Sequence, residues 1–367
     1  MMGSTKTWPD RPIALPGLLC LLLLLAACSV HAAESVPRKD LENVRGNALA
    51  FLRTQQSDNG AFGTVQPQLQ TGLAMLALLS SRDALTGEDL DRVTKAAAYV
   101  VRQGSSSGDL GDDQFRTESH SICLSALLCA TPHIRDAKLR AEVSKAAYRA
   151  LRTTERWQDR SSSSASRGGW KMEGRKGREN DRRASAWALL SCEVAVLYGL
   201  DVKAANRERG LRYLLGSFKD ETGEPDQTGG LSVDNEGLAV ASASSMGGWF
   251  LQRRRPRSEA ARQNLGWLAR HRSVWSGPNY FYTNFFRLRA LCRADAESAE
   301  FGRAFRRVFL QIREHQAANG AIAFPPGNAQ NTAAMGPVFS TAASLLILNA
   351  DDSSLVFDED FRVRPLF

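Results

Sequence analysis

Residues 51–63 read FLRTQQSDNGAFG, and residues 315–324 read HQAANGAIAF. In each, an amphipathic segment ends in Gln and the chain turns through Asn-Gly. A small-residue apolar segment follows, TGLAMLALL at 71–79 in the first case and STAASLLILNA at 340–350 in the second. Glycine supplies the positive φ that a chain needs on leaving a helix, and apolar residues at helical spacing predict a second helix after the turn. The same helix–turn–helix unit therefore stands at both ends of the chain.

Between them the pattern recurs at a period of roughly fifty residues. KAAAYVVRQ (95–103) leads through GSSSGDLGDD to SHSICLSALLCA (119–130). KAAYRALRTT (145–154) leads through RGGWKMEGRKGREN to ASAWALLSCEVAVLYG (184–199). GLRYLLGSF (210–218) is joined by a loop containing TGGLSVDNEG to LAVASASSMGGWFL (238–251), and NLGWLARH (264–271) by SGPNY to FYTNFFRLRALC (281–292). The first helix of each unit is amphipathic, whereas the second is more apolar and rich in Ala and Ser. One ring of helices enclosing another needs this division. Uniformly short inner helices and fixed loop placement favour a closed all-α ring of six hairpins, twelve helices in all, over an open solenoid.

The chain has 367 residues, 43% hydrophobic and 23% charged, enough apolar sequence for a sizeable core, and no interior linker divides it. A single repeat domain over 41–350 is expected, followed by a tail over 351–367. The net charge of +8 comes from arginines spread along the chain. Arg253, Arg254, Arg255 and Arg257 form a solvated connector, with no aromatic or glycine motif that would make a nucleic-acid site.

Lys6 and Arg11 precede an apolar run from Ile13 to Ala27, the length of a signal-peptide core and short for a membrane span. Leu25-Ala26-Ala27-Cys28 resembles a bacterial lipobox. It predicts a signal peptide over 1–27, a lipidated Cys28 and a tether over 28–40. The competing cut falls after Val30-His31-Ala32, before Ala33. Cys123, Cys129, Cys192 and Cys292 lie in apolar helical stretches and read as small core residues, with no metal spacing among them.

The turn signature resembles that of the prenyltransferase and squalene-cyclase repeat proteins, whose fold is the α/α toroid, an (α/α)6 barrel. Phe51 through Gln56, Asn59-Gly60, Phe62-Gly63 and Thr71 carry the likeness, and His315-Gln316, Asn319-Gly320, Phe324 and Thr341 repeat it. Gly168-Gly169-Trp170 is a degenerate third copy. The likeness spans nearly the whole mature chain, and the segment from Asn264 to Leu348 resembles the C-terminal half of exported bacterial members. The chemical motifs of the family are missing. There is no DxDD, only Asp109-Leu110-Gly111-Asp112-Asp113; no Asp-x-Cys zinc set; and no CGEQ thioester. No metal or other cofactor is expected.

In such a toroid the loops before the inner helices face one mouth, which ranks Asp112, Arg116, His120, Trp170, Tyr280 and Tyr282 as ligand-binding candidates. Asp181 and Glu236 lie in the same loops. Asp113 and Asp234 form the candidate carboxylate pair for acid–base catalysis. Helix capping and core packing are the structural alternatives for all of them. Two functions remain open. One is a cell-envelope lipoprotein binding a hydrophobic small molecule, a peptide or an envelope protein at its mouth. The other is an enzyme of terpenoid-cyclase or polysaccharide lyase or hydrolase type.

Overall fold

The computed structural model describes residues 36–81, 85–112, 115–161, 167–174, 180–216, 236–270, 275, 279–323 and 335–351, with side chains of the helix that starts at Glu236 described from Ser244. The expected signal peptide with Cys28, Asp113, Asp234 and the C-terminal tail from 352 lie outside these residues.

Twelve α-helices occupy them. The outer helices are α1 (Arg38–Thr54), α3 (Gly87–Gln103), α5 (Ala137–Trp157), α7 (Ala204–Leu215), α9 (Glu259–Arg270) and α11 (Ala299–Glu314). The inner helices are α2 (Pro67–Ser80), α4 (Arg116–Ala130), α6 (Arg182–Leu197), α8 (Glu236–Arg254), α10 (Tyr280–Ala294) and α12 (Gly336–Leu348). Their starts are written into the sequence. Thr86 and Asp89 form a capping box on α3, and Asp136, Asp181 and Ser298 cap α5, α6 and α11.

An outer helix buries one stripe, in α1 Leu41, Val44, Ala48, Leu49, Phe51 and Leu52. Inner helices are buried almost all round, α2 continuously from Gln68 to Ser80 and α4 from Thr117 to Ala130. The inner helices contact one another in sequence, α2 to α4, α6, α8, α10 and α12, and α12 returns to α2. Each outer helix lies against the inner helix that precedes it in the chain, and α1 lies against α12, so first and last helices meet. Small residues permit the close approach. A Cβ on Gly72 of α2 would sit 3.0 Å from Ile122 Cγ2 of α4. The architecture is an α/α toroid.

The Asn-Gly turns join neighbouring units. In the first, Ser57 N–H donates to Ala61 O and Gly60 N–H to Ser57 O. The same two bonds recur at Ser105/Asp109 with Gly108, at Asp159/Gly169 with Gly168, and at Ala317/Ala321 with Gly320. The four glycines have φ of 94°, 91°, 100° and 86°. Each abuts the next outer helix: a Cβ would fall 2.5 Å from Lys95 O, 2.6 Å from Arg149 O, 2.3 Å from Arg209 O and 2.0 Å from Asn47 O. The preceding glutamine completes the clamp. Gln56 Nε2 donates to Arg92 O, Gln158 Nε2 to Asn206 O and Gln316 Nε2 to Val44 O, the last tying the sixth unit to the first.

A further bond anchors each of these four turns to its own inner helix. Phe62 N–H donates to Thr71 Oγ1, Ile322 N–H to Thr341 Oγ1, Trp170 N–H to Ser185 Oγ, and Leu110 N–H to His120 Nδ1. The turn of the second unit thus keeps the turn and its anchor without the glutamine clamp, with Gly104 in place of glutamine and His120 in place of threonine.

Candidate functional site

The N-terminal ends of the inner helices converge, and the first turns of α4, α6 and α10 bring Glu118, Arg183 and Tyr282 together on the toroid axis. Glu118 is completely buried. Arg183 Nε lies 2.9 Å from Glu118 Oε2, and Tyr282 Oη donates to Glu118 Oε1. The Arg183 guanidinium also stands 5.0 Å over the Tyr282 ring and 5.2 Å over Phe115, within cation–π range of both. Burial pushes the Glu118 carboxyl above its ordinary range, although Arg183 and Tyr282 both favour its anion. Burial and the neighbouring Glu118 raise the Tyr282 hydroxyl too.

One turn deeper the axis becomes aromatic. Trp187 stacks on Phe285 with centroids 5.3 Å apart, and Tyr282 meets Trp187 edge-on at 6.4 Å. Leu73, Phe281 and Phe339 complete a floor around a void of about 10 Å3, so the axis is filled below the polar layer.

The structure distributes the other candidates named from the sequence. Asp112 Oδ2 accepts from Leu69 N–H in the first turn of α2 and from Ser119 Oγ, capping one unit from the next. His120 is completely buried, and its Nε2 lies 3.1 Å from Ala150 O and 3.0 Å from Thr154 Oγ1. Its Nδ1 accepts from Leu110 N–H and lies 3.6 Å from Asp109 Oδ1. Trp170 is also fully buried and donates from Nε1 to Thr154 O. Tyr280 donates to Gln311 Oε1 on α11 and packs on Trp275. Asp181 is the N-cap of α6. Arg116 pairs with Asp109 beside the mouth. Of the ligand-binding candidates, Tyr282 alone belongs to the axial cluster.

Glu118 and Arg183 were not singled out in the sequence. Each is a charged residue in the first turn of a helix buried almost all round, a pattern visible once the inner helices are known.

No family profile matches the chain, and no curated protein does. Among solved structures the chain is similar to the α-1,6-mannanase from Salegentibacter sp. HEL1_6, with a TM-score of 0.58 and 11% identity, over 85% of this chain and 98% of that one; an inactive variant of it was solved with α-1,6-mannotriose. It is also similar to a variant of the type II terpene cyclase MstE from Scytonema in complex with geranylgeranyl dihydroxybenzoate, TM-score 0.51 and 16% identity, over 85% and 97% of the two chains. A protein from Actinoplanes matches with a TM-score of 0.51 and 12% identity, over 85% and 99%. These likenesses establish the α/α-toroid fold.

Proposed function

We propose that this protein is an exported, lipid-anchored toroid of the bacterial cell envelope that takes its ligand at the axial end, over Glu118, Arg183 and Tyr282. The observation that carries the reading is this trio, contributed by three different units at the centre of the ring, with Glu118 and Tyr282 buried and Arg183 partly open to solvent. A buried ion pair is a poor source of stability, and ionisable groups with displaced pKa values concentrate where proteins meet ligands. Tyr282 and Arg183 supply donors and Glu118 a carboxyl, for the polar end of a hydrophobic small molecule or a peptide. The filled floor keeps the ligand above the aromatic layer.

An enzymatic reading is favoured by one specific feature. A carboxyl pushed up by burial holds its proton to higher pH and can give it to a substrate, as a cyclase-type or glycoside-cleaving acid must. The named neighbours, a mannanase and a terpene cyclase, are of both kinds.

Mass spectrometry of the full-length protein extracted in detergent tests the proposal. The expected result is a diacylated N-terminal peptide beginning at Cys28 and a retained small molecule or peptide that Tyr282→Phe with Glu118→Gln releases. An N-terminus at Ala33 removes the lipid anchor from the account. A retained ligand indifferent to both substitutions removes the axial site.

A further inference from the structure

A second site lies beside the axial one, on the other side of the first turn of α4. Arg116 and Glu118 are two positions apart, roughly 200° around a helix that advances about 100° per residue. Glu118 faces the axis, whereas Arg116 lines a cleft of about 480 Å3 between the turns of the second and third units. That volume falls within the ~300–1,000 Å3 typical of small-molecule sites. Asp109, Arg116, Thr153, Arg156, Trp157 and Glu173 form its walls.

The walls are held in place by the fold. Thr117 N–H donates to Met172 O, Thr117 Oγ1 to Lys171 O, and Gly174 N–H to Thr117 Oγ1, fastening the chain on both sides of Glu173 to α4. Gly174, at φ 69°, brings the backbone against Arg116 and Trp157. Arg156 Nη2 donates to Ser107 O and Thr153 Oγ1, and Trp157 packs on the buried His120 at 4.7 Å. Asp109 is 7% exposed, paired with Arg116 and bonded by Gly111 N–H. Burial opposes its ionisation, but His120, Gly111 N–H and Arg116 together hold it below the usual carboxylate range. Glu173, in contrast, is exposed and makes no hydrogen bond or ion pair with the described residues.

We infer that this cleft binds a neutral saccharide. Among the described residues that line it, two carboxylates and two guanidinium groups cancel, so these walls offer no net attraction to an anionic or cationic ligand. They offer instead alternating acceptors and donors around a half-buried indole, the complement of a ring that carries hydroxyls on its edge and C–H groups on its faces. Asp109, fixed by Arg116 and Gly111 N–H, presents its carboxylate as an acceptor for hydroxyls.

Calorimetric titration of the full-length chain in detergent with maltotriose, cellotriose and α-1,6-mannotriose, each separately, tests the inference. At least one trisaccharide should bind with an affinity that salt leaves unchanged, as a neutral ligand requires. Trp157→Ala should weaken it about tenfold or more, and Glu173→Gln about threefold. Should Trp157→Ala melt before it can be titrated, Trp157→Phe and the exposed Glu173→Gln carry the comparison. Failure of all three sugars to bind, binding indifferent to these substitutions, or preferential uptake of a charged tripeptide would each overturn it.

Discussion

Glu118 occupies an expensive position. It sits at zero exposure in the first turn of α4, where the helix dipole and Arg183 favour the carboxylate and desolvation opposes it. Burial prevails, and the sign of its effect on stability follows. A carboxyl whose folded pKa is raised binds its proton more tightly folded than unfolded. It costs nothing below the unfolded value of about 4.3 and destabilises progressively as pH climbs toward the folded value. Glu118→Gln should therefore melt close to the parent protein near pH 4 and above it near pH 7. Thermal unfolding across that range is the check, and a variant that falls below the parent as pH rises would make Glu118 a structural ion-pair partner only. A group retained at a cost to stability is what a binding or reacting site leaves behind.

The same scale explains what the sequence could and could not reveal. Gln56, Asn59-Gly60 and Thr71 were legible because the clamp needs those residue types: an amide that spans two backbone carbonyls, a glycine at positive φ, and a hydroxyl that accepts one N–H. The turn of the second unit was not legible. His120 does there through Nδ1 what Thr71 does through Oγ1, and an imidazole among loop carboxylates reads first as chemistry. The axial cluster was hidden for another reason. Glu118 and Tyr282 are 164 residues apart, and only closure of the ring makes them neighbours.

At the level of elements, the turns do more than reverse the chain. Each links its own inner helix to the outer helix of the next unit, so stability depends on the turn as much as on the helices. Gln316→Ala removes the bonds to Val44 O and Gly320 O and should cost about 1–3 kcal/mol in urea unfolding. Gly320→Ala should cost more, about 3 kcal/mol or above, because φ is 86° and a Cβ would meet Asn47 O at 2.0 Å. Equal stability of either variant with the parent would show that the turn contributes no clamp. The outer and inner helices were readable from their patterns: one buried stripe against burial all round. Which outer helix lies on which inner helix was not. Sequence order pairs α1 with α2, whereas α1 lies against α12, because closure brings the chain ends together.

For the whole molecule, closure separates a toroid from a stack of repeats. In an open solenoid a terminal helix can be removed with the loss of one interface. Here α12 contacts α1, α2, α10 and α11, Arg45 donates to Leu348 O, and Asn349 Nδ2 donates to Ser80 Oγ. Ending the chain at residue 323 should therefore unfold the remaining helices together. Circular dichroism and limited proteolysis would read this as loss of the cooperative transition, and a stable eleven-helix product would contradict closure. Among the described residues no helix is long and apolar enough to cross a membrane.

Closure also creates the axis, where the proposed function resides. Photo-crosslinking addresses that claim most directly, with benzoylphenylalanine placed at Phe115 beside Arg183 of the axial cluster or at Tyr148 on the outer face of α5, in the full-length protein expressed in cells. An adduct of defined mass from Phe115 and none from Tyr148 is the predicted result. An adduct from Tyr148 with none from Phe115, or none from either position, would contradict it.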